Sequence, residues 1–116
     1  MAAQWLPFHE DATWFGHEPN GRWTRGDSRL TVDETESYSQ LELEMSNCHA
    51  RQQLLDIELG ATRSRVEFAP GERKTVTLNC EGKAPTLRFR SETFAAAAGS
   101  GDPRLLGVLV HEVRYR

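Results

Sequence analysis

A chain of 116 residues and 13.1 kDa, 38% hydrophobic and 27% charged, fits one globular domain over residues 1–116 and leaves no room for two of ordinary size. With 17 acidic against 14 basic residues the net charge is −3, so no global field draws the chain to nucleic acid or to an anionic membrane. No run approaches the roughly 18–20 apolar residues that span a bilayer, and Met1 to Phe8 lacks the basic and apolar regions of a secretory signal, so no membrane insertion and a cytoplasmic location are expected.

The chain opens on an aromatic-rich arm, about residues 1–21. Trp5, Phe8, Trp14, Phe15 and Trp23 make up five of the ten aromatic residues, and no periodicity orders them. An extended arm that packs rings onto a sheet, with one short strand at 22–24, accounts for this. From Leu30 and Val32 onward the period is two. Leu41, Leu43 and Met45 alternate with Glu42 and Glu44. Leu55, Ile57 and Leu59 alternate with Asp56 and Glu58. Val66 and Phe68, then Val76, Leu78 and Cys80, then Leu87 and Phe89 continue the pattern. Successive strand side chains point to opposite faces, so each run has a core face and a wet face. Ser46 to Leu54 and Ala95 to Ala98 have room for one helical turn each. Leu106, Val108 and Val110 end the chain on a strand that begins apolar on both faces, which places it centrally.

Breaker clusters separate the runs: Gly26-Asp27, Ser46-Asn47, Gly60-Ala61, Pro70-Gly71, Glu81-Gly82 with Pro85, and 99–103. Pro70-Gly71 reads as a turn with proline at its first central position. Seven to eight strands at this spacing read as an all-β antiparallel sandwich or barrel.

Four constellations carry chemistry. In 14–23 the indoles of Trp14 and Trp23 can stack on a sugar face, while His17, Glu18 and Arg22 bond its hydroxyls. Alternatively, the indoles plug the core and Glu18 pairs within the turn. The Gly99-Ser100-Gly101-Asp102-Pro103-Arg104 loop precedes a strand and lacks the lysine of a phosphate cradle, so Asp102 caps the turn and Arg104 pairs with a carboxylate such as Glu18. Cys48-His49 cannot act as nucleophile and base on an extended chain, where neighbours diverge. The cysteines match no metal spacing and are expected as free thiols, Cys80 buried and Cys48 exposed. Arg63, Arg65, Arg88 and Arg90 have room to form a basic stripe on one sheet face, but interleaved glutamates make it a solvated face of mixed sign. No catalytic group, metal site or cofactor is expected.

The order Gly-His-x-x-x-Gly-Arg-Trp-Thr-x-Gly at 16–26, Thr-Phe at 93–94 and Asp-Pro-Arg-Leu-Leu-Gly-Val at 102–108 resembles a small β-sandwich domain that accompanies bacterial glycosyltransferases and capsule or lipopolysaccharide assembly proteins. The similarity spans roughly residues 13–116. It implies a jelly-roll-like sandwich and an accessory, non-catalytic role. Glu18, Arg22, Trp23, Asp102 and Arg104 occupy its motif positions. Two readings result: a glycan-binding module using Trp14, His17, Glu18, Arg22, Trp23, Asp102 and Arg104, with a glycan or a glycosyltransferase as partner, or a structural or protein-interaction domain in which the same residues hold the arm. A third, a small enzyme using His17 and Glu18 as acid and base, is the weakest.

Overall fold

The computed structural model describes residues 13–15, 18–31, 40–59, 62–79, 86–95 and 101–115. Among them lie ten strands and no helix: β1 (Arg22–Trp23), β2 (Asp27–Thr31), β3 (Gln40–Ser46), β4 (Gln53–Leu59), β5 (Thr62–Phe68), β6 (Arg73–Asn79), β7 (Thr86–Ser91), β8 (Phe94–Ala95), β9 (Leu105–Leu106) and β10 (Leu109–Tyr115). Two four-stranded sheets form, ordered β1-β10-β3-β6 and β2-β7-β4-β5, and β8-β9 is a small ribbon. Every pairing is antiparallel.

The pairs are nested: β4 with β5, β3 with β6, β2 with β7, and β1 with β10. Members of successive pairs fall alternately in the two sheets. Folding an eight-stranded antiparallel ribbon over on itself produces this order, which is the jelly roll.

The alternating runs meet in one core. Leu41, Leu43 and Met45 of β3 pack with Leu78, Val110 and Val113 of their own sheet, and with Leu30, Leu55, Ile57, Phe68, Leu87 and Phe89 of the other. Trp14 joins them at 5% exposure, with Phe89 edge-on at 5.5 Å and its Nε1–H donated to the Arg29 carbonyl at 2.6 Å. The polar phases face water and interlock across strands. Arg88 forks onto Asp27, Arg65 meets Asp56, Arg73 and Arg114 meet Glu44. Arg63, Arg65, Arg88 and Arg90 of the β2-β7-β4-β5 sheet are thus matched by carboxylates, a face of mixed sign.

Some expectations change in detail. The apolar run at 106–110 is divided between β9 and β10, because Gly107 N–H donates to Thr24 O and breaks the ladder there. β10 is interior to its sheet, as its two apolar faces require. His111 is an extra residue in β10, a bulge between the Val110–Met45 and Glu112–Glu44 pairs. Residues 47–52 hold bends rather than a helical turn, and Ala95 is in β8. The second helical turn, at 95–98, lies otherwise outside the described residues, as do Val32 and Cys80. Ala69-Pro70-Gly71-Glu72 is the expected turn: Glu72 N–H donates to Ala69 O at 3.0 Å, and Gly71 at φ +72° supplies the conformation a type II turn demands.

Candidate functional site

The two motifs separated by some eighty residues are one structural unit. Residues 18–21 form a tight turn, with reciprocal backbone bonds between Glu18 and Gly21 of 2.8 and 3.0 Å. Gly21 has φ +139°, and a Cβ there would lie 2.3 Å from the Val110 carbonyl oxygen, so only glycine lets β1 close onto β10. Arg22 and Trp23 then pair with Val110 and Leu109. Thr24, fully buried, exchanges backbone bonds with Val108 and Gly107, and its Oγ1 accepts the Val108 N–H at 2.9 Å. Thr93 touches the same junction, since a Cβ on Gly26 would meet its methyl at 2.8 Å.

This junction carries a chain of charged and aromatic side chains. Asp102 Oδ1 accepts the Arg104 backbone N–H at 3.0 Å across Pro103, a short side-chain-capped turn. The guanidinium then folds back: Nε lies 2.9 Å from both Asp102 oxygens and Nη2 is 2.6 Å from Oδ2. Those bonds from Arg104, side chain first and backbone second, hold the Asp102 carboxyl below the ordinary carboxylate range, so it stays ionised at neutral pH. Nη2 also reaches Glu18 Oε1 at 3.3 Å, and Glu18 Oε2 accepts the Trp23 indole N–H at 3.1 Å. One carboxylate therefore orients both the guanidinium and the indole.

The chain extends in both directions. Arg104 Cζ lies 5.1 Å from the centre of the Phe15 ring, and Arg25 Cζ lies 4.1 Å from it. On the other side, Trp23 meets the His49 ring at 6.0 Å, His49 meets Phe94 edge-on at 4.9 Å, and Arg51 Cζ sits 4.5 Å from the Phe94 centre. Buried Asn47 places the 47–51 loop: its Nδ2 donates to Arg51 O and Ala69 O, and its Oδ1 accepts the His49 N–H. His49 Nε2 lies 3.1 Å from Gly107 O, and because a carbonyl only accepts, that nitrogen carries the proton. Phe15, Trp23, His49 and Phe94 are each half-buried.

Of the predicted site residues, Glu18, Trp23, Asp102 and Arg104 come together in this strip. Trp14 does not: its indole is in the core and offers no face to a sugar, which is the packing alternative for that residue. Arg22 is buried on the opposite phase of β1 from Trp23 and is likewise withheld from solvent. His17 lies outside the described residues. Phe15, Arg25, His49, Arg51 and Phe94 are strip members that sequence reasoning did not single out as site residues. Only the Thr-Phe motif at 93–94 pointed at one of them. Cys48, beside His49, is an exposed free thiol whose pKa partial burial pushes up, so it is not an activated nucleophile. No group of three or more metal-binding side chains occurs among the described residues.

No family model and no curated protein matches the chain. Among solved structures it is similar to the secreted serine protease VesC from Vibrio cholerae, with 16% identity and a TM-score of 0.60, over 96% of this chain and 25% of that one. At this identity the likeness is one of fold. The chain spans only a quarter of the protease's length.

Proposed function

We propose that the protein is a non-catalytic accessory module of a bacterial cell-surface polysaccharide system, and that the aromatic strip binds glycan. The observation that carries this is the fixed, half-buried Trp23 indole, held at its N–H by Glu18, with Arg104 on the same carboxylate. An oriented π-face beside charged hydrogen-bonding groups is what a sugar presents its C–H face and hydroxyls to. The resemblance of the 16–26 and 102–108 motifs to domains accompanying glycosyltransferases supports the same reading.

Titration with capsular and lipopolysaccharide-derived oligosaccharides, followed by tryptophan fluorescence, tests it. Binding is expected to change the emission of Trp23, and Trp23→Ala is expected to abolish it. Absence of binding to every such fragment overturns the reading.

One observation favours protein docking as a second reading. Leu105, next to Arg104, is 59% exposed and is the one exposed large apolar side chain among the described residues. Under that reading Leu105→Glu removes binding to a glycosyltransferase partner and leaves any sugar titration unchanged.

A further inference from the structure

The strip carries a surplus of positive charge over its own carboxylates. Arg63, Arg65, Arg73, Arg88, Arg90, Arg104 and Arg114 each meet a carboxylate. Among the described residues no carboxylate lies within ion-pair distance of Arg25 or Arg51, and these two guanidinium groups stand over the strip's rings, Phe15 and Phe94. Both side chains are exposed. The strip's own carboxylates, Glu18 and Asp102, are both engaged by Arg104. Three guanidinium groups thus face two carboxylates, on a chain whose net charge is −3.

A guanidinium lying over a ring is partly immobilised before any ligand arrives, so less entropy is lost when its N–H edge engages one. Arg25 is held further by Nε donating to Trp14 O at 3.2 Å, which leaves its terminal nitrogens for a partner. Planar forks of this kind match a carboxylate in two parallel bonds. A neutral sugar offers these cations only hydroxyl oxygens, which accept weaker bonds than the charge-assisted pair a carboxylate forms.

We infer that the strip takes an acidic saccharide, one whose carboxylate is gripped by Arg25 or Arg51 while its ring lies on the half-buried aromatic side chains. This rests on the sugar-binding reading above.

Calorimetric titration of the full chain with a galacturonic acid tetrasaccharide, the neutral galactose tetrasaccharide and inorganic phosphate, at low and at high salt, tests it. The acidic tetrasaccharide is expected to bind about tenfold more tightly than the neutral one at low salt, with the advantage shrinking as salt screens it. Arg25→Gln and Arg51→Gln, both at exposed positions and checked for folding by circular dichroism, are expected to remove most of that advantage between them, the acidic tetrasaccharide losing several-fold more affinity than the neutral one. Equal affinity for the two tetrasaccharides, unmoved by either variant, overturns the charge assignment and leaves sugar binding standing. Phosphate binding as tightly as the acidic tetrasaccharide also overturns it, because the rings then contribute nothing. Binding of neither tetrasaccharide overturns both readings.

Discussion

Arg104 is the side chain whose loss would undo the most contacts in the strip. It makes charge-assisted bonds to Asp102 and Glu18 and lies over Phe15, and 29% of its side chain remains exposed. That exposure rules out the several kcal/mol of a fully buried pair, yet it exceeds a surface pair in the number of bonds and in ring contact. Arg104→Ala is expected to cost about 1–2 kcal/mol, and Arg63→Ala, on a largely exposed pair with Glu58, about 0–1 kcal/mol. Thermal melts of the two variants check this, and equal midpoints would refute it. Asp102 sets an acid limit. Its folded pKa lies below the 3.8 of the free side chain, chiefly through the Arg104 side chain, so the folded state binds that proton less readily than the unfolded one. The resulting stability is whole above about pH 4 and is lost as pH falls through the lower folded value. Asp27 and Asp56, lowered by Arg88 and Arg65, act in the same direction. Asp102→Asn is therefore expected to lower stability at neutral pH and to lessen its fall below about pH 4, as denaturant midpoints measured along the acid limb would show. An unchanged acid limb would mean that the Asp102 fork does not persist in solution.

β1 and β10 are brought into register by residues with no side chain to spare. A Cβ on Gly107 would lie 2.1 Å from Thr24 Oγ1 and 3.1 Å from the Thr24 carbonyl, inside a fully buried site. Gly107→Ala must displace Thr24 and with it the bond to Val108 N–H, at an expected cost of about 3 kcal/mol. Gly71→Ala, with open space at φ +72°, bears only backbone strain and is expected to cost about 1 kcal/mol. Chemical denaturation of the two variants compares them, and a Gly107→Ala as mild as Gly71→Ala would argue against this junction. The longer elements were legible because amphipathic strands record their burial in every second residue: Leu41, Leu43, Met45, Leu55, Ile57, Leu87 and Phe89 all point inward as their phase requires. Two-residue strands such as β8 and β9 are too short to show a period, so they were not. The pairing of Arg104 with Glu18 was readable because an arginine beside a central apolar strand needs a carboxylate and the turn at 18–21 offered one. Phe15, His49 and Phe94 were not readable as one site. Their meeting depends on nested pairing that no local spacing encodes.

That nesting also governs how the molecule closes. The strands nearest the two ends of the described chain, β1 and β10, are paired, and β10 fills the gap between β1 and β3. It brings Val110 and Val113 to the core, beside Val108 just before it. Until it docks, β3 presents a bare edge alongside Leu41, Leu43 and Met45, and the sandwich lacks a wall. An edge that persists in the finished fold is treated differently. On β6, Lys74 sits on the inward phase opposite Met45, lies over Phe68 and donates to the Glu67 carbonyl of β5, so a charge caps the seam between the sheets. β3 has no such protection, because in the native state it is never an edge. Pairings this distant in sequence are closed late and slowly, on the scale of milliseconds to seconds. A chain lacking residues 101–116 is accordingly expected to show no cooperative thermal transition and to aggregate through β3. A synthetic peptide of residues 102–116, added in excess, should restore the strand signal in far-UV circular dichroism by filling the same slot. A truncated chain that melted cooperatively without the peptide would show that the remaining strands suffice, and that β10 completes the sandwich without being needed to form it.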